Sequence, residues 1–392
     1  MVIVRAPVRV SFGGGGTDIA TYYAAHGGFV VGAAITRYCS VMAHQPADGG
    51  IRITSADFDL AEGWRAGVIP QVAEPLSLPK AAIARFANHG LRSTGIDLFL
   101  ASEVPPGTGL GSSSAMAAGL VRAMSSYIGL PMDAGTVADI ACSLEIDYLG
   151  MPIGKQDQYA AAFGGLNTIE FTTNGVVVTP LGLSLDVMQA LSDRLLLFST
   201  GKRRNSATIL SKQRTASASD PHVVSGLHRI KALAWEMCDA LRREDLDGFG
   251  MLLDLGWQEK RVLSTSISSG EIDGWYEAAR EAGAIGGKIT GAGGGGYMLL
   301  YVPLHRQDAV RAVMGERGLT ELTFDVDMHG AQVLSNAPQH LSLRNWEGVD
   351  PQRPADSPLW LRGLLQGTNM TRLDNRVPAD IRREAIDDAR SH

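Results

Sequence analysis

Val8, Val10 and Phe12 alternate with Arg9 and Ser11, the period-two pattern of a strand buried on one face. Such a strand carries Arg9 on the side away from its apolar face and runs into the glycine stretch Gly13 to Gly16. Ile96 to Ala101 reads as another strand ahead of a second glycine-rich stretch, Gly107 to Gly111. Beyond it, Met116, Leu120, Val121 and Met124 fall at helical spacing and predict a helix over Ser112 to Tyr127. Val137, Ile140, Ala141, Leu144 and Tyr148 form an i, i+3, i+4, i+7, i+11 stripe, which predicts an amphipathic helix around Glu145 that stops near Gly150-Met151-Pro152. The second half reads as a strand at Leu195 to Thr200, a helix from about Pro221 to Arg243, and a strand at Tyr297 to Val302 behind a third glycine run, Gly291 to Gly296. Strands and helices mix without a repeating βαβ order, so an α+β fold is expected. A boundary near residue 190 divides an N-terminal domain, 1–190, from a C-terminal domain, 191–335. Residues 336–392 read as an appended extension, because proline and charge interrupt a weak periodicity there.

Composition narrows the function classes. A chain of 392 residues with 45% hydrophobic content buries a substantial core and suits a two-lobed enzyme. A formal charge of −6 provides no global basic field, so neither nucleic acid nor an anionic membrane surface is an expected partner. The apolar stretches, such as Phe29 to Ile35, are too short to span a bilayer, and no charged segment followed by an apolar one resembles a signal peptide. A cytoplasmic location is expected. Cys39, Cys142 and Cys238 are odd in number and far apart, which argues against a disulfide framework and a zinc site, and the nine histidines are scattered.

The most informative segment is Pro105-Pro106-Gly107-Thr108-Gly109-Leu110-Gly111-Ser112-Ser113-Ser114. Three spaced glycines let backbone N–H groups approach an anion just where a helix begins, and the helix N-terminus adds its own donors and about half a positive charge. The serines can cap the helix or offer a hydroxyl to a phosphate-bound Mg²⁺. A nucleotide-binding role for Pro106, Gly107, Thr108, Gly109, Leu110, Gly111, Ser112, Ser113 and Ser114 follows. The loop is not the P-loop of common NTPases, since G-x-x-x-x-G-K-[ST] is absent and the segment contains no lysine.

With this loop stand two further motifs in order, Ala6-Pro7-Val8-Arg9-Val10-Ser11-Phe12-Gly13-Gly14-Gly15-Gly16-Thr17-Asp18 before it and Lys288-Ile289-Thr290-Gly291-Ala292-Gly293-Gly294-Gly295-Gly296 after it. Together they resemble the GHMP kinases, the family of galactokinase, homoserine kinase, mevalonate kinase and phosphomevalonate kinase, over about the first 335 residues. The resemblance implies a two-domain kinase fold with its active site in the cleft between domains, and ATP and Mg²⁺ as cofactors. The first motif is most similar to that of the heptose 7-phosphate kinase subgroup, which implies an anomeric hydroxyl of a phosphorylated sugar as acceptor.

The segment from Glu145 to Gln158 is similar to the galactokinase stretch running from a metal-binding glutamate to an active-site aspartate. By that likeness Ser113 and Glu145 hold Mg²⁺, Asp157 faces the acceptor hydroxyl as catalytic group, and Arg9 lies near the transferring phosphoryl group or Asp157. The plainer alternatives are a solvated helix residue for Glu145, a loop cap for Asp157 and a structural ion pair for Arg9. Asp18, with Gly15, Gly16, Thr17, Gly293 and Gly294, is implied to line the acceptor site. Lys202, Arg203 and Arg204 resemble a heptose kinase segment that could hold a distal phosphate, a solvated charge run being the other reading. Rival functions are an octose 8-phosphate kinase, a galactokinase- or fucokinase-like kinase of a free sugar, a mevalonate- or homoserine-type kinase, and a catalytically silent sensor. A homodimer is compatible with all of them.

Overall fold

In the computed structural model, the described residues are 1–202, 211, 214–215, 220–264 and 266–336. They combine two sheets with flanking helices, an α+β arrangement as expected. The described residues all fall within one compact unit. The extension expected from residue 336 lies, from residue 337 onward, outside the described residues.

The larger sheet has eight strands in the order Gln332–Asn336 (β12), Val2–Gly13 (β1), Gly28–His44 (β2), Ile96–Ser102 (β5), Ile51–Ser55 (β3) and Leu60–Trp64 (β4), with Leu166–Thr172 (β6) also on β2 and Gly175–Pro180 (β7) on β6. Its centre is β1 (Val2–Gly13) against β2 (Gly28–His44), in antiparallel register from Val2 opposite Ala43 to Gly13 opposite Val31. The far edge of β2 is shared. Its first part, Gly28 to Ala33, pairs with β6 (Leu166–Thr172), and its last, Cys39 to His44, with β5 (Ile96–Ser102). Strands β3 (Ile51–Ser55) and β4 (Leu60–Trp64) extend the β5 side, β7 (Gly175–Pro180) extends β6, and β12 (Gln332–Asn336) returns from late in the chain to pair with Val2–Arg5 of β1. The smaller sheet, β11-β8-β10-β9, comprises β8 (Leu195–Ser199), β9 (Gly286–Ile289), β10 (Tyr297–Tyr301) and β11 (Thr320–Glu321).

One expectation about β1 changes. Both of its alternating sets are buried, Arg9 at 5% and Ser11 at 4% exposure, because helices Ser112–Tyr127, Gln156–Phe163 and Pro221–Arg242 all pack against the strand. Alternation reports which residues are apolar, whereas coverage of the second face is a tertiary outcome. A buried arginine must be paired to offset its desolvation. The site shows what pairs it.

The helix expected around Glu145 is also altered. It is α-helical over Ala134–Cys142 and then widens into a π-helical turn, Ser143–Tyr148, with Leu149 N–H donating to Leu144 O five residues back at 3.1 Å. The wider turn shifts the phase of the residues that follow. Val137, Ala141 and Leu144 of the expected stripe are buried, but Tyr148 is 58% exposed and Glu145 is fully buried in its stead.

Candidate active site

The glycine loop bends through left-handed conformations at Gly107 (φ 79°), Gly109 (φ 83°) and Gly111 (φ 76°) and ends at the helix Ser112–Tyr127. No side chain caps that helix, leaving its first amides to backbone or ligand acceptors. Arg9 secures the loop from behind. Its backbone N–H donates to Leu110 O at 2.9 Å, and its Nη1 donates to Gly109 O at 2.8 Å. The rest of the guanidinium forms a bidentate pair with Asp157, Nε to Oδ1 at 2.7 Å and Nη2 to Oδ2 at 2.5 Å. Asp157 in turn abuts the loop, since a Cβ added to Gly111 would lie 3.0 Å from its Oδ2.

Three consecutive residues opening the helix Gln156–Phe163 tie the site together. Gln156 Nε2 and its backbone N–H both donate to Asp18 Oδ2, at 3.0 and 3.2 Å. Asp157 takes Arg9. Gln158 Nε2 donates to Glu145 Oε2 at 2.6 Å, while Ser113 Oγ donates to Glu145 Oε1 at 2.5 Å. A single helix start therefore links the first motif, the glycine loop and the π-helical turn. This works only because Gly154 makes room just upstream, where a Cβ would fall 2.0 Å from Asp18 Oδ2.

Burial dominates the electrostatics. It raises the Glu145 carboxyl above its ordinary value, against the lowering effect of the Ser113, Ser114 and Gln158 hydrogen bonds, and the charge of Asp157 raises it further. Asp18 is also raised, first by burial and then by Asp157, against the amide donors of Gln156 and Gly16. Glu145 is thus a desolvated carboxylate beside a hydroxyl at a helix N-terminus, two hard oxygen donors that suit Mg²⁺ with phosphate and water completing its shell. Among the described residues no group of three or more His, Cys, Asp or Glu is placed to hold a metal.

Two cations escaped the sequence reading. Lys288, on β9, is buried and donates to Phe12 O at 3.0 Å, and burial, helped by Lys260 and Arg9, pulls its amine well below the ordinary lysine range. Lys260, on the helix Leu246–Arg261, is 6% exposed and donates to Gly291 O at 2.5 Å. Lys288 had a local signal in opening the third motif; Lys260 had none. Gln156 and Gln158 lay inside the segment singled out around Asp157, but their partners arise from tertiary placement.

The remaining candidates divide. Gly16 N–H donates to Asp18 Oδ1 at 3.0 Å, and Thr17 is wholly buried with its hydroxyl engaged by Gly14 O and Phe29 O. Gly293 and Gly294 pack on Ile267, with Gly294 N–H donating to Ile267 O at 2.7 Å. Gly296 brings the third motif onto the second, where a Cβ would meet Thr108 O at 2.1 Å. Thr108 Oγ1 donates to Pro105 O at 2.7 Å within the loop. Lys202 pairs with Glu271, and its amine lies 5.5 Å from the centre of the Trp275 ring; Arg203 and Arg204 lie outside the described residues.

Comparison with known proteins bears on the family and the fold. Residues 77–165 match the GHMP kinases N terminal domain, and residues 237–318 match the GHMP kinases C terminal domain. A D-glycero-alpha-D-manno-heptose 7-phosphate kinase of Campylobacter jejuni is 31% identical over 320 residues, spanning 81% of this chain and 94% of that protein. The crystal structure of a D-glycero-D-manno-heptose 1-phosphate kinase from Bacteroides thetaiotaomicron superposes with a TM-score of 0.73 at 26% identity, covering 86% of this chain and 100% of the other. Lactococcus lactis galactokinase, solved with galactose, shares the fold at TM-score 0.68 and 20% identity, over 85% of this chain and 95% of its own.

Proposed function

The chain belongs to the GHMP kinase family, whose sugar kinases are ATP-dependent phosphotransferases acting on hydroxyl groups, and on that premise we propose that it phosphorylates the anomeric hydroxyl of a heptose 7-phosphate or related higher-sugar phosphate. The observation that carries this reading is the bidentate Arg9–Asp157 pair set against Gly111 at the mouth of the glycine loop. It presents a fixed carboxylate beside the expected polyphosphate cradle. Likeness to the heptose phosphate kinases supports the acceptor class.

In this reading residues 1–190 and 191–335 are the two lobes, with the reaction in the cleft between them. Residues Pro106 to Ser114 hold the donor polyphosphate through backbone N–H groups and the helix N-terminus. Ser113 and Glu145 are the protein ligands for Mg²⁺, which when bound offsets charge on the phosphate oxygens. Asp157 orients the acceptor hydroxyl and can take its proton, while Arg9 fixes the carboxylate and adds positive charge near the transferring group. Asp18 accepts hydrogen bonds from sugar hydroxyls, and Lys202, Arg203 and Arg204 hold the distal phosphate. Positioning accounts for most of the rate, as a loose phosphoryl transition state requires.

The test is ADP release across free hexoses, heptoses, their terminal phosphates, an octose 8-phosphate, mevalonate and homoserine, with product analysis for an anomeric phosphate. Turnover with a heptose 7-phosphate yielding the 1,7-bisphosphate is expected. Turnover confined to mevalonate or homoserine overturns the acceptor class, and sugar binding without turnover marks a sensor. No helix among the described residues is long and apolar enough to cross a membrane.

A further inference from the structure

Gly15 is an unusual member of its run. Gly14 and Gly16 need glycine for their backbones, at φ 81° and 100°, and a Cβ on Gly14 would fall 1.9 Å from Phe29 O. Gly15 has neither constraint. Its φ is not in the left-handed region, and a Cβ there would meet nothing nearer than 3.8 Å. Neither backbone strain nor crowding therefore requires glycine at this position.

What surrounds the vacant position is polar. The three nearest atoms are Lys260 Nζ at 3.8 Å, Ser11 Oγ at 3.8 Å and Gln156 Nε2 at 3.9 Å from where the Cβ would stand. All three can donate hydrogen bonds. Ser11 is 4% exposed and its hydroxyl has no protein partner, an arrangement that is unfavourable unless something else supplies one. Gln156 spends one amide hydrogen on Asp18 and has a second, and Lys260 is held in place by Gly291 O. These atoms come from a strand, a helix start and the helix Leu246–Arg261, so their convergence is not a by-product of one turn.

We propose that Ser11, Gln156 and Lys260 form an acceptor subsite beside Gly15 that binds a hydroxyl of the sugar near the reacting one, and that Gly15 is glycine to leave room for it. The proposal rests on the sugar-kinase reading above. Two neutral donors and one cation suit an uncharged hydroxyl oxygen. A phosphate would be brought towards the carboxylates of Asp18 and Asp157, which lie on the same Gln156–Asp157 helix start or are bonded to it. Lys260 and Gln156 are positioning and specificity residues here, acting on affinity for the acceptor.

The decisive variants are Gly15→Ala and Lys260→Met, with Ser11→Ala alongside, assayed by ADP release with heptose 7-phosphate and with the free heptose. Gly15→Ala is expected to fold with an unchanged or higher thermal midpoint, since alanine fits both backbone and space, and to raise the KM for either sugar about tenfold while the KM for ATP stays within twofold. Lys260→Met is expected to do the same for both sugars. Parental sugar KM values in Gly15→Ala and Lys260→Met overturn the proposal, as does a change confined to the phosphorylated sugar or to ATP. If Lys260→Met fails to fold, Gly15→Ala alone decides. Absence of turnover by the parent enzyme with every sugar would instead refute the function on which the subsite depends.

Discussion

Changing Asp157 to Asn keeps the shape of the side chain but replaces one anionic oxygen with an amide group. In the native pair both oxygens accept from Arg9, at 2.7 and 2.5 Å, and the side chains are only 6% and 22% exposed. Asparagine can retain one of these bonds; its NH₂ then faces a guanidinium N–H, donor against donor. A hydrogen bond to a charged group contributes about 1.5–3 kcal/mol, and the low exposure of Arg9 limits screening by water. Losing one such bond and the carboxylate's charge on the acceptor side is expected to cost about 2.7 kcal/mol or more in the chemical step, a fall in kcat of roughly 10²-fold or greater. ATP affinity should remain within about twofold, because the glycine loop keeps its own contacts. Coupled ADP release measures kcat, nucleotide fluorescence measures ATP binding, and thermal unfolding checks the fold. Arg9→Met and the double variant complete a cycle in which the effects should be strongly non-additive, since both single changes break one pair. Near-parental turnover in Asp157→Asn, or a loss of ATP affinity equal to the loss of turnover, would refute the placement of Asp157 at the acceptor.

The Glu145→Gln variant should need roughly tenfold more Mg²⁺ for half-maximal activity in an activity titration, as one hard ligand is weakened. Burial raises the folded value of Glu145 above its ordinary 4.5, so its protonated form stabilises the metal-free protein at low pH and that contribution disappears as pH rises through the raised value. The increase in thermal midpoint on adding Mg²⁺ should therefore grow as pH rises through the raised Glu145 value in the parent and flatten in Glu145→Gln; an unchanged slope counts against a metal role. Gly296→Ala, whose Cβ would sit 2.1 Å from Thr108 O at a φ of 92°, should raise the KM for ATP several-fold by pushing the third motif off the loop, measured against an unaffected KM for sugar. Triple alanine replacement of Lys202, Arg203 and Arg204 should raise the KM for a phosphorylated sugar about tenfold per lost contact and leave ATP alone. Equal handling of the phosphorylated sugar by the variant would make the run a solvated surface.

Much of the frame was legible because it is local. The helix Ser112–Tyr127 begins and ends where apolar spacing places it, and the strands expected at Ile96–Ala101, Leu195–Thr200 and Tyr297–Val302 each fall within a residue of those limits, whereas β1 starts six residues before the alternating pattern at Val8. The pairing of Arg9 with Asp157 was accessible through likeness to known kinases, which supplied a partner that spacing alone left open. What periodicity could not carry was any change of period. The π-helical turn turns Glu145 inward and Tyr148 outward against the heptad-like stripe, and nothing in the order of apolar residues announces it. The burial of both faces of β1 around Arg9 and Ser11 and the arrival of Lys260 near Gly15 were equally hidden, since each depends on helices far along the chain packing onto a strand near its start.

The pairing of β12 with Val2–Arg5 has a consequence for how the polypeptide is made. The outer edge of the first strand cannot be covered until residues 332–336 exist, more than three hundred residues later in synthesis. At about 5–20 residues per second, a ribosome leaves that edge open for some tens of seconds. During this interval Val2, Ile3 and Val4 offer an unpaired apolar template to neighbouring nascent chains. A chaperone that shields the first residues, or slower crowding of ribosomes on the message, should therefore raise the yield of folded enzyme more than stabilising the finished sheet would.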